Sequence, residues 1–64
     1  MTQEEVIALM TSSKNPFEWN QNADTVKAAF GDRYPDYWFA SVIQANVAPH
    51  IPKGFHIEIG RFTP

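Results

Sequence analysis

Apolar positions along this chain recur first at helical spacing and then, near the C-terminus, at strand spacing. Val6, Ile7, Leu9 and Met10 give the opening segment one apolar side. Thr2-Gln3-Glu4-Glu5 reads as a capping box, in which the Thr2 hydroxyl accepts from the Glu5 amide and the Glu5 carboxylate reaches back to the Thr2 amide. The pattern predicts a first helix over 3–11, with Thr11-Ser12-Ser13-Lys14 as its polar exit. Asn15 then suits an N-cap, Pro16 the first helical position and Glu18 the third. Trp19, Ala23, Val26 and Phe30 fall on one stripe, and Gly31 stands where a left-handed C-cap belongs, which predicts a second helix over 16–30. Asn20, Gln21 and Asn22 are indifferent helix formers and mark where that helix could break.

The third helical pattern is predicted over 35–46. Pro35 suits its first turn and Asn46 its close, while Trp38, Phe39, Val42, Ile43 and Ala45 share one arc at about 100° per residue. That arc is expected to be the main packing surface, with Ser41 on the polar side. Two prolines and a glycine between Ala48 and Gly54 exclude regular helix there. From Phe55 to Phe62 the side chains alternate, with Phe55, Ile57, Ile59 and Arg61 on one side and His56, Glu58, Gly60 and Phe62 on the other. No second strand stands out as its partner. The segment 55–62 is therefore expected to lie as an extended arm on the helices, to pair with a second copy, or to add to a sheet edge on another protein.

The fold class expected is mainly α: residues 1–64 as a single small three-helix domain with a C-terminal extended or β segment. The helical stripes are expected to close the core by themselves, leaving residues 51–62 as surplus apolar material. Composition sharpens this picture. At 44% hydrophobic and 19% charged, the chain belongs with globular sequences rather than disordered ones. With 64 residues and no cysteine it has no disulfide or cysteine-bound zinc to offset a small core, so its aromatic residues must do so. Trp19, Phe30, Trp38 and Phe39 are expected in that core.

Charge and chemistry remove most other functions. The five basic residues, Lys14, Lys27, Arg33, Lys53 and Arg61, form no run or stripe, which argues against nucleic acid as a partner. No apolar run approaches the roughly 18 residues that span a bilayer, and the N-terminus lacks the basic and apolar regions of a signal peptide, so a cytoplasmic protein is expected. His50, His56 and Glu58 are the one metal-ligand set worth weighing, but their spacing matches neither a helical pair nor a close hairpin. The carboxylates are accounted for by first helical turns, loops and a strand face, and no activated serine motif or glycine-rich phosphate loop is present. No metal, no cofactor and no enzymatic activity is expected.

What remains is surplus apolar surface. Phe17 projects nearly opposite the stripe of the second helix, Tyr37 lies off the arc of the third, and Phe55, Ile57, Ile59 and Phe62 crowd the tail. These six are the candidate partner-binding residues. The function expected is a non-enzymatic protein–protein interaction module. It would act as a small inhibitor or accessory protein of the kind phages encode, binding a larger protein or itself through the C-terminal arm. The alternative is a small nucleic-acid-associated regulatory protein, which needs Lys14, Lys27, Arg33 and Lys53 to converge on one face.

Overall fold

A computed structural model describes residues 1–45 and 52–64. Among them are three helices, α1 (Gln3–Thr11), α2 (Pro16–Ala29) and α3 (Trp38–Gln44), and two strands, β1 (His56–Glu58) and β2 (Arg61–Thr63). The fold is mainly α with a small C-terminal antiparallel sheet. The expected closing residue Asn46, and the readings at Pro49, His50 and Ile51, lie outside the described residues. No helix among the described residues is long and apolar enough to cross a membrane.

Local rules govern the first two helices. Both bonds of the Thr2–Glu5 capping box form, at 2.9 and 3.1 Å. The Thr2 backbone amide, then its hydroxyl, hold the Glu5 carboxyl below its ordinary range, because both stabilise the charged form. Asn15 Oδ1 accepts from the Glu18 amide at 2.8 Å, and Pro16 occupies the first turn. At the other end of α2 the Gly31 amide reaches the Ala28 carbonyl and the Asp32 amide the Lys27 carbonyl, at 3.4 and 3.0 Å. That pair of bonds is a Schellman close, with Gly31 at φ 76°. α2 runs unbroken through Asn20, Gln21 and Asn22. Two of those residues are tertiary ties: Asn22 Nδ2 donates to the Leu9 carbonyl and to Ser13 Oγ, at 3.2 and 2.8 Å, pinning the exit of α1 against α2.

α3 departs from expectation at its start and in its facing. The Trp38 amide donates to the Pro35 carbonyl at 2.9 Å, so residues 35–38 form a tight turn and the α-helix begins at Trp38 rather than 35. Tyr37 precedes it at φ −90° and ψ 11°, without a side-chain cap. The buried side of α3 is Trp38, Ser41 and Val42, with Ala45 packed against it, while Phe39 and Ile43 face outward. The helix is thus rolled toward Ser41 relative to the arc read from hydrophobicity. The roll is tolerated because Ser41 Oγ donates to the Tyr37 carbonyl within the helix, at 3.1 Å, and enters the core with its polar group satisfied.

The C-terminal segment corrects the sequence reading most. It is neither a lone strand nor an arm. It folds on itself at Ile59-Gly60, pairing His56 with Thr63, Ile57 with Phe62 and Glu58 with Arg61. Both turn residues have positive φ, 54° and 76°, the pattern of a type I′ hairpin turn. Reversal at the turn changes which residues share a face. Ile57 and Phe62 come together on the inner side, while His56, Glu58, Arg61 and Thr63 form a polar outer side.

The core is formed by Val6, Met10, Trp19, Ala23, Val26, Trp38, Val42 and Phe62, with Phe55 and Ile57 packed partly against it. The helices therefore do not close the core alone, and the tail is not wholly surplus: Phe62 is a core residue, 3% exposed. A hairpin of two three-residue strands would not be stable in isolation, so the helices must hold it. Asn20 does so along β2, donating from Nδ2 to the Phe62 carbonyl at 2.8 Å and accepting the Phe62 amide on Oδ1 at 2.9 Å. One side-chain amide thus covers the outer edge of β2 as a third strand would.

Candidate interaction surface

The hairpin turn is fixed by the two tryptophans of the chain. Trp38 Nε1 donates to the Ile59 carbonyl and Trp19 Nε1 to the Gly60 carbonyl, each at 2.7 Å. Each indole also packs an apolar body in the core while its single donor meets a turn carbonyl. Gly60 is buried in this clamp, with no room beyond its Cα: a methyl group there would lie 2.5 Å from Trp38 Nε1 and 2.9 Å from Val42 Cγ2. Arg61 is ion-paired with Asp24 of α2, and this contact raises its already high pKa. Tyr34 stacks on Trp38 with ring centroids 4.4 Å apart, and Lys27 Nζ lies over the Tyr34 ring, 5.8 Å from its centroid.

Held this way, the turn presents Ile59. Its side chain is 64% exposed while its backbone sits at φ 54°. A β-branched residue in the left-handed region is strained by about 1–2 kcal/mol, and Asn, Asp or Gly normally takes this turn position.

The other candidates are dispersed. Phe17, 75% exposed, meets Phe55 edge to face at 6.3 Å. Phe55 and Ile57 are half-buried against the core. Tyr37 is half-buried, edge to face with Phe30 at 6.1 Å, and so packs at the two ends of the link between α2 and α3. Phe62 is withdrawn from the surface altogether, its ring 6.0 Å from that of Trp19. It leaves the candidate set because the hairpin reverses its facing.

Sequence reasoning missed two residues. Phe39 is 61% exposed and Ile43 is 76% exposed, one turn apart on α3 with Ala40 and Gln44 exposed beside them. A signal existed: from Tyr37 through Ala45 no residue is charged, so nothing in that stretch marks a solvated side. The hairpin turn meets α3 on its buried side, through Trp38 and Val42.

Elsewhere the surface offers little chemistry. A cleft of about 600 Å³ has Met10, Trp19 and Phe62 on its floor and Thr11, Ser13 and Lys14 on its rim, with neither acid nor histidine among its described lining. Ala45 and Pro52, which flank the undescribed residues, also line it. His56 Nε2 is 2.8 Å from Thr63 Oγ1 and 4.0 Å from Glu58 Oε2 on the exposed outer side of the hairpin. No three His, Cys, Asp or Glu side chains converge among the described residues, and His50 lies outside them. The chain matches no family model, no curated protein and no solved structure.

Proposed function

We propose that this chain is a non-enzymatic, cytoplasmic protein-interaction module that binds through the outer face of α3 and the hairpin tip beside it. The observation that carries the reading is an uncharged, solvent-facing apolar row, Phe39 and Ile43, on a short surface helix. Adjacent exposed apolar side chains of this kind mark interaction sites more often than idle surface. Ile59 supports the same conclusion from a different direction. Its side chain lies mostly in solvent, and its backbone would be more comfortable as asparagine or glycine. An apolar residue retained at the fold's expense is accounted for by a partner.

The strain itself is testable. Ile59→Asn is expected to stabilise the protein by about 1 kcal/mol, raising the thermal midpoint by about 4–8 °C. An unchanged or lowered midpoint in a circular dichroism melt would remove Ile59 from the argument.

The binding role is tested with a photo-crosslinking amino acid at position 40, irradiated in a lysate of cells that express the chain. The expected product is an adduct with a single protein species, lost when Ile43→Glu is added while the helical signal is retained. Adducts that are diffuse, or indifferent to Ile43→Glu, would overturn the reading. The nucleic-acid alternative is less favoured, because Arg61 is engaged by Asp24 and Lys27 lies over Tyr34.

A further inference from the structure

We infer that the outer edge of β1 pairs with the same edge of a second copy, antiparallel about a two-fold axis at Ile57, so that two hairpins make one four-stranded sheet. The inference goes beyond the role proposed above and uses no residue of the α3 face.

The backbone supplies the first reason. In an antiparallel ladder, alternate residue pairs turn their amides and carbonyls outward instead of toward each other. Phe62 is such a residue, because both of its backbone groups go to Asn20. Ile57 is its cross-strand partner, so the Ile57 amide and carbonyl point out from the opposite edge of the hairpin. Among the described residues, neither group has a bonding partner. One edge of the sheet is therefore covered by a side-chain amide, while the other offers a donor and an acceptor side by side. A second Ile57 in antiparallel register presents the acceptor and donor that match them.

The side chains supply the second reason, and they choose the occupant. With Ile57 opposite its own copy, His56 falls opposite Glu58 of the second copy, and Glu58 opposite its His56. Both side chains stand on the outer side of the hairpin, 60% and 69% exposed, free to meet across the junction. An imidazole N–H donates to a carboxylate, and complementary cross-strand pairs stabilise a sheet where like charges weaken it. In-register parallel pairing would set His56 against His56 and Glu58 against Glu58. An edge that is kept single by charge repels its own copy. The His-Ile-Glu edge instead complements its own copy, in the antiparallel sense.

Strand addition draws on main-chain bonds more than on buried area. Only one residue per copy contributes such bonds here, so the association is weak, with a Kd on the order of 1 mM.

The test is a dilution series of the isotope-labelled full chain, from about 3 mM to about 50 µM, followed by amide chemical shift and translational diffusion. With rising concentration the Ile57 amide is expected to move toward the shift of a bonded amide, while diffusion slows toward that of two copies. His56→Glu opposes two carboxylates in each pair, and Glu58→Lys removes the acceptor from each. Both variants, with helical circular dichroism retained, are expected to weaken association about fivefold or more. Mixed in equal amounts they set acid against base in both pairs again, and the mixture is expected to associate as the wild type does. A wild type whose shifts and diffusion do not change with concentration would overturn the inference. So would association that leaves the Ile57 amide unmoved, that survives either single variant, or that mixing fails to restore. The crosslinking probe at position 40 reads the α3 face and stands or falls separately.

Discussion

Gly60→Ala is expected to lower the thermal midpoint by about 15 °C, corresponding to about 3 kcal/mol in a protein of this size. Two costs combine. At φ 76° an added Cβ is strained by about 1 kcal/mol. That Cβ would also sit 2.5 Å from Trp38 Nε1, so the indole must shift and release the Ile59 carbonyl, at a further cost of about 1–3 kcal/mol. Against a total stability of roughly 0.1 kcal/mol per residue, this is about half of what holds the fold. Gly31→Ala and Gly54→Ala are the controls. Both positions have positive φ, but nothing lies within 4 Å of the added carbon, so each should cost only about the strain. Equal midpoints for all three variants would show that the tryptophan clamp contributes nothing.

Asn20→Asp should be nearly as damaging at pH 7 and should recover in acid. The carboxylate can still accept the Phe62 amide, but its second oxygen faces the Phe62 carbonyl, where the native Nδ2 donated at 2.8 Å. Losing that donor and opposing two oxygens in a part-buried place costs about 2 kcal/mol, or about 10 °C. A protonated carboxyl group, by contrast, has the amide's pattern of one donor and one acceptor. The folded state therefore holds the proton more tightly than the unfolded state does, so the folded pKa of the new acid is raised. Stability gained from that proton is fully present below the unfolded value of about 3.9 and is lost as pH rises through the raised folded value. Melting each variant beside the wild type at pH 3 and pH 7 cancels the other titrating groups. Asn20→Ala should lose a similar amount at both pH values. An Asp variant with the same deficit at both would rule out the strand-mimicking role of Asn20.

What could be read in the sequence was what is local. The capping box at Thr2, the Asn15-Pro16 start and the Gly31 close depend on bonds between residues three to five apart, and each forms where the spacing places it. Facing is different, because it depends on which neighbour a helix meets. The hydrophobic arc of the third helix included Phe39 and Ile43, but the core accepted Trp38, Val42 and a self-satisfied Ser41. The two residues that now define the candidate surface were hidden by that shift.

The hairpin escaped notice for a related reason. Turn recognition looks for Asn or Asp before the glycine, and here Ile59 holds that position. What bends the chain at Ile59-Gly60 is a pair of indole donors from elsewhere in the molecule, which no short window contains. Phe62 was misplaced with it, since alternation read straight through the turn assigns it to the wrong side. Asn20 looked like a weak point in a helix because its bond to the tail spans 42 residues. Phe17, whose facing depends only on projecting away from the α2 stripe, is exposed.

The indole bonds span 21 and 41 residues, so the bend at Ile59 has no local sponsor until both helices are in place. Closing such long loops is entropically late, and a strained turn that forms late is also the first to let go. The C-terminus thus behaves as a clasp, fastened after the bundle and unfastened before it. Its opening would strip both indoles of their carbonyl partners and uncover them together, so the intrinsic fluorescence of the unlabelled protein reports the state of its tail.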